Sequence, residues 1–289
     1  MKYFIALLLP VFITACNSQR GKFTTQRLQA ITIRGEEMPA LAFKYNEKGL
    51  LTTITRYVNA SDTNTVKFDY DKFSRITGMV YQQQIGKQSI TTQTATVTDW
   101  DLNGNIRQVD FFNKDHQKVQ TAQVRWLNNQ PLSLKCSQSQ QATTWNYIEG
   151  NAEWKNIKED KTADGNDTTI YFTSSHYEWD FSRNPMRDLA NQLLLTDSLP
   201  QCHPEAPLPD LCNLMLHISQ NNPSLVRLKE NQQTVAGNSV SHFSRTTTVQ
   251  YIYAYNSNGY PKSAKVFVNT EGYTRLKSQL QTTVDYQYE

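Results

Sequence analysis

The sequence predicts a mainly β protein: a single curved, largely antiparallel sheet or open barrel of serial hairpins, with a short helical insertion. Three observations predict it. A degenerate unit recurs along the chain, reading aromatic, Asn or Asp, two variable residues, Gly, one variable residue, aliphatic. Apolar and polar residues alternate on the approach to each copy, as strands with one wet face require. The polarity comes from Thr, Gln, Asn and Ser, since charged residues make up only 19% of the chain.

Composition narrows the function classes. Lys and Arg number 29 against 26 for Asp and Glu, so the chain lacks the strongly basic balance of a nucleic-acid binder. At 289 residues it can bury a large core. Its 15 Tyr, 12 Phe and 5 Trp are too many aromatics for a disordered chain. A helical bundle and a multi-span helical membrane protein fit poorly.

The N-terminus is the first element. Lys2 precedes the apolar run Phe4 to Phe12, which is shorter than the roughly 20 residues a membrane-spanning helix needs. Ile13-Thr14-Ala15-Cys16 follows, with a small residue before a cysteine. The segment reads as a secretory signal over residues 1–15, and its ending resembles the lipobox of bacterial lipoproteins. That resemblance implies acylation of Cys16, cleavage after Ala15 and a tether over residues 16–26. Asn17 stands where an Asp would resemble an inner-membrane retention signal, so the outer membrane is expected, on its periplasmic or its outer face.

The hairpin domain is expected over residues 27–289. Its clearest units are Tyr45 to Leu51, Trp100 to Ile106 and Tyr255 to Pro261; Tyr70 to Ile76 keeps the frame with Ser74 in place of Gly. Weaker copies begin at Trp126, Tyr147 and Trp179, with Gln130 and a shifted Gly150 off the pattern. The spacing has a mechanism: Asn or Asp opens a type I turn, and a Gly three residues later takes the left-handed conformation that closes a bulged hairpin. Leu41, Phe43 and Tyr45, then Val66, Phe68 and Tyr70, then Val249 to Tyr255 alternate into these turns, and Val266 to Val268 and Val284 to Tyr288 add strands. The pattern breaks over residues 184–235. There Asn184-Pro185 caps a helix over Met186 to Leu195 with Leu189, Leu193 and Leu194 on one side, a proline-rich stretch follows, and Leu211 to Ile218 suggests a second helix.

The repeated units resemble the YD repeats of Rhs-type surface proteins. With the lipobox, the Asn-Pro interruption and the terminal Tyr255-Asn256 to Tyr260-Pro261 hairpin, the chain more closely resembles an uncharacterised family of Bacteroidetes lipoproteins. That resemblance implies a porin-like antiparallel sheet in the envelope and no assigned activity.

Candidate chemistry is sparse. Asp99, Asp101, Asn103 and Asp110 place oxygens at positions one, three, five and twelve around Gly104, as a calcium loop would. The hairpin unit already explains Asp101 and Gly104, so no metal is favoured. Cys202 and Cys212 suggest a disulfide across the proline-rich loop, with free thiols or a metal site shared with His203 and His217 as alternatives. Cys136 reads as a buried apolar residue, and His116, His176 and His242 as ordinary surface or sheet residues. Trp100, Trp126, Trp145, Trp154 and Trp179 sit at strand or repeat positions suited to core or cross-strand packing, with room for one or two exposed rings. No catalytic motif is recognisable and no cofactor is expected. The expected function is a lipid-anchored envelope protein that binds or scaffolds a glycan or another envelope component. A hydrolase with an unrecognised carboxylate pair and a carrier of an apolar ligand stay open as alternatives.

Overall fold

The computed structural model describes residues 26–137, 142–162, 168–197, 217–272 and 276–289. Sixteen strands are present among them. The first eight are β1 (Leu28–Ile33), β2 (Leu41–Tyr45), β3 (Leu51–Tyr57), β4 (Thr63–Tyr70), β5 (Ile76–Ile85), β6 (Gln88–Trp100), β7 (Ile106–Asn113) and β8 (Lys118–Leu127). The rest are β9 (Gln130–Cys136), β10 (Ala142–Ile148), β11 (Asn151–Thr162), β12 (Thr168–Arg183), β13 (Asn221–Ala236), β14 (Ser239–Tyr255), β15 (Pro261–Gly272) and β16 (Leu276–Tyr288). Each pairs antiparallel with its sequence neighbours, and β1 pairs with β16, Ile31 opposite Tyr286 and Ile33 opposite Val284. The sheet is therefore a barrel of serial hairpins, closed where a curved sheet or open barrel is expected.

The turns between even and following odd strands share one rim. In three of them Asn46, Asp71 and Asn256 each accept two backbone N–H bonds through one side-chain oxygen, from Lys48 and Leu50, Phe73 and Arg75, and Asn258 and Tyr260. Asp101 does the same with Asn103 and Asn105. The left-handed position is Gly49, Gly104 and Gly259 in three, and Ser74 with φ 66° in the fourth. The two copies that depart from the pattern are tighter two-residue turns, with positive φ at Asn128 and Asn129 and at Glu149 and Gly150.

Five of the aromatics that open units, and Tyr288 at the end of β16, share one task. Trp100, Trp126 and Trp179 donate their indole N–H to the carbonyls of Ile76, Ile106 and Ala152 at 3.0, 2.6 and 2.8 Å. Tyr45, Tyr70 and Tyr288 donate their hydroxyls to Leu28, Leu51 and Pro261 at 3.0, 2.5 and 2.8 Å. In every case the acceptor lies at or next to the start of the preceding strand. A β-bulge sits beside most of these rings, as between Asp99 and Trp100 and between Arg125 and Trp126. The bulge turns the strand end so that the ring lies across its neighbour.

Inside, the wall near this rim is apolar: Phe43, Phe68, Met79, Val97, Phe111, Val124, Leu134, Val249, Val266 and Val284 are buried. Outside, Lys67, Gln123, Arg125, Lys135, Arg227 and Lys265 alternate with them and are exposed. A membrane barrel has the opposite polarity, with an apolar band on its outer face. Farther from the rim the inner wall becomes polar. There Arg245 makes a bidentate pair with Glu230 at 2.5 and 2.7 Å, and the buried Thr247 and Thr270 hydroxyls meet at 3.1 Å.

Sixteen strands enclose more space than wall side chains fill, and the insertion occupies it. A 3-10 turn (Arg187–Leu189) leads into α1 (Ala190–Asp197), and Met186, Leu189, Leu193, Leu194 and Leu195 are buried in the common core. Asn184 holds the entry, accepting from Met186 N and donating to the carbonyls of His217 and Ser219. The plug leaves the wall between β12 and β13 and reaches the opposite side. There Asn191 accepts from Ile106 N at 3.0 Å and Gln192 donates to the Tyr70 hydroxyl at 3.1 Å. The expected end of the insertion needs correcting: residues 221–235 belong to β13, so the interruption closes at 220. The polar run Asn231 to Thr234 pairs with Thr169 to Phe172 of β12 and Ser241 to Ser244 of β14 and offers no apolar alternation to read. Most of the proposed second helix, Leu211 to Ile218, lies outside the described residues; its last two, His217 and Ile218, are not helical.

Candidate functional site

Cys16, Cys202, His203 and Cys212 lie outside the described residues. Cys136 is buried on β9. His217 packs edge-on against Tyr177, Trp179 and Tyr251, with centroids 5.6, 6.3 and 6.3 Å away. His116 takes φ 58° at the tip of the β7–β8 turn, where Asn113 accepts from Asp115 and Gln117. This is a further turn of the same kind on the other rim, missed in the sequence because His116 replaces Gly and Lys118 the aliphatic residue.

The three carboxylates of the calcium pattern have separate partners, and Asn103 is bonded through its backbone N–H to Asp101. Asp101 accepts from Asn103 and Asn105 backbone N–H and from the Asn105 amide. Asp99 faces Arg107 at 3.7 Å. Asp110 pairs with Lys118 at 2.9 Å and accepts from the Thr121 hydroxyl at 2.7 Å. Among the described residues no group of three or more His, Cys, Asp or Glu is arranged to hold a metal ion.

One region gathers an exposed ring, carboxylates and amides. It lies on the outer face of β10 to β13, near the plugged rim. A bulge opens the β10–β11 ladder, where Tyr147 pairs with Ala152 and Asn146 with Trp154. Glu153 is the extra residue, and it reverses the alternation: Ala152 points inward and Trp154 outward. Trp154 is 40% exposed, whereas Trp145 is buried. Directly across the ladder stands His176, its ring 4.4 Å from that of Trp154 and tilted by 41°. The Nδ1 atom of His176 is buried and has no hydrogen-bond partner.

Beside this platform is a cleft of about 530 Å³ lined by Glu153, Glu178, Asp180, Asn151, Gln220 and Asn221, among others. Three of its four carboxylates are engaged, and the fourth, Glu149, is exposed at the β10–β11 turn. Glu178 faces Arg227 at 3.5 Å, and Glu153 accepts from the Asn146 amide at 3.1 Å. Asp180 accepts from Ser182 and Asn222 backbone N–H and from the Tyr255 hydroxyl. Burial raises the Asp180 carboxyl above its ordinary value despite these bonds. The arrangement offers a flat ring with adjacent acceptors and amide donors, a grammar suited to a polyhydroxylated ligand. A second hollow of about 470 Å³ lies on β12 to β14 near the other rim, lined by Phe172, Asn231, Gln233 and His242, among others.

No protein-family model matches the chain, and no curated protein matches it. Among solved structures it is similar to a porin-like protein from Bacteroides uniformis ATCC 8492, with 14% sequence identity and a TM-score of 0.50. The match covers 91% of this chain and 96% of the other. The likeness concerns the fold.

Proposed function

We propose that the protein is a non-enzymatic binding or scaffolding module of the bacterial envelope, held at the outer membrane by lipid on Cys16. It takes a glycan, or a glycan-bearing envelope component, on the Trp154–His176 platform. The outward turn of Trp154 carries this reading, because the bulge that causes it places an indole face beside carboxylate and amide groups. Two further observations support it. The barrel is plugged and charged on its outer wall, which suits a body hanging on a membrane better than a pore through one. Glu153, Glu178 and Asp180 in the cleft are already bonded, which suits ligand holding better than acid–base chemistry. The porin-like neighbour is consistent with an envelope location.

The test is a glycan array and a pull-down on envelope polysaccharide, comparing the parent protein with Trp154→Ala. Retention without turnover, reduced at least tenfold by the substitution, is the expected result. Turnover abolished by one Asp or Glu substitution would instead establish a hydrolase. For the anchor, Cys16→Ala should release the protein from the membrane fraction.

A further inference from the structure

The plugged rim carries apolar residues at five successive crossings, and each points away from the barrel. Phe73 in the β4–β5 turn is 68% exposed, and Leu102 in the β6–β7 turn is fully exposed. Leu127 and Ile148 flank the next two turns at 57% and 56%. Phe181, where β12 gives way to the plug, is fully exposed. Large apolar side chains this exposed at a barrel rim are unfavourable in water, and of these only Phe73 has a ring contact among the described residues, with Lys72 and Arg75 over its face. A contiguous set of them marks an interaction surface.

Position in the chain identifies what covers them. β1 begins at Leu28 on this same rim, where the Tyr45 hydroxyl meets the Leu28 carbonyl. Ten residues lie between Cys16 and Arg27, a reach of about 40 Å at full extension. The tether leaves the barrel at this rim, so a lipid on Cys16 draws this end of the barrel first toward the bilayer. We infer that the arc Phe73, Leu102, Leu127, Ile148 and Phe181 inserts into the surface of the membrane that holds the anchor. The inference rests on the lipid-anchor reading for its orientation. Charges beside the arc are mixed, with Lys72 and Arg75 near Phe73 but Glu149 next to Ile148. Insertion is thus apolar in origin and tolerant of salt. Ile148 and Phe181 also line the cleft beside Trp154, so the inserting arc and that cleft adjoin.

The other rim supplies an internal control, because it too exposes apolar residues: Val58 at 57%, Ile85 at 60% and Val240 at 52%. The mature chain from Cys16 to Glu289 is made without its leader, so that Cys16 carries no lipid. The ladder that closes the barrel spans residues 28–33 and 284–288, all of them within that chain. Co-sedimentation uses vesicles of phosphatidylethanolamine and phosphatidylglycerol at 3:1. The parent chain should bind equally at low and high salt. The variant Phe73→Ser/Leu102→Ser/Leu127→Ser/Phe181→Ser should lose at least thirtyfold in partitioning. Val58→Ser/Ile85→Ser/Val240→Ser should stay within threefold of the parent. In a second measurement on a fully folded chain, Leu102→Trp fluorescence should be quenched by brominated lipid. Absence of vesicle binding by the parent, an equal loss in the other-rim variant, or an unquenched Trp at position 102 would overturn the proposal. Mass spectrometry of Cys16 in protein from cells tests the anchor separately, so an unlipidated cysteine would refute that reading and leave the vesicle result to decide this one.

Discussion

Replacing Leu194 by Ala removes a side chain with no solvent exposure from the middle of α1, between the equally enclosed Leu193 and Leu195. The plug meets the wall on two opposite sides, through Asn184 near β12 and through Asn191 and Gln192 near β4 and β7. It therefore has little freedom to collapse into the space the lost atoms leave. A Leu-to-Ala change in such a site costs about 3 kcal/mol, within a usual range of about 2–5. For a domain of this size each kcal/mol moves the midpoint by about 2–4 °C, so the expected loss is roughly 6–12 °C. Leu102→Ala is the matched control, the same chemistry at a fully exposed turn tip, and should stay within about 0.5 kcal/mol. Thermal unfolding followed by near-ultraviolet circular dichroism gives the midpoints, and urea unfolding gives the slope. One transition with an unchanged slope is expected, because the plug shares the barrel core. If Leu194→Ala behaved like Leu102→Ala, or the plug unfolded in a separate early step, the common core described here would be wrong.

Two further predictions concern charge. Arg245→Ala should cost about 3–5 kcal/mol in urea unfolding, since it leaves the Glu230 carboxylate enclosed without its bidentate partner, and the double change Arg245→Met/Glu230→Met should recover most of that loss. A stable single variant would show that water already reaches the pair. At Asp101 burial pushes the carboxyl up, but bonds from Asn105 and Asn103 and the charge of Arg107 outweigh it and hold the group below its ordinary value; Asp71 is held low in the same way, by Arg75 and Phe73. A folded-state pKa lower than the unfolded one contributes stability that is present above the ordinary value of 3.8 and lost as pH falls through the folded value. Acid titration of stability should therefore steepen below pH 4 in the parent protein and flatten in Asp71→Asn/Asp101→Asn. An unchanged acid limb would count against these turn bonds.

Local chemistry was legible in the sequence and long-range closure was not. The unit from Trp100 to Ile106 reads directly as a turn because Asp101 and Gly104 act on their own neighbours, and the structure shows those same bonds. The turn at Phe112 to Lys118 escaped because His116 adopts a left-handed conformation that residue type alone does not announce. Closure depends on β1 finding β16, with Arg34 and Asp285 as one of its pairs, across 251 residues and without any local signal. The start of the plug was readable from Asn184, Pro185 and its leucines. Its end was not, because Asn221 to Ala236 is a strand held by ladder bonds and not by an apolar rhythm. The candidate site depends on a single extra residue, Glu153, whose effect on Trp154 appears only when the β10–β11 register is known.

The distribution of polarity across the wall, apolar within and charged without, is tested most directly by purifying the unlipidated mature chain in buffer free of detergent and adding it to a planar lipid bilayer. A discrete, strand-rich particle that opens no conducting pathway is the predicted result. A chain that aggregates until detergent is supplied, or that produces stable ohmic steps, would mean that the wall faces lipid and that the plug does not close it.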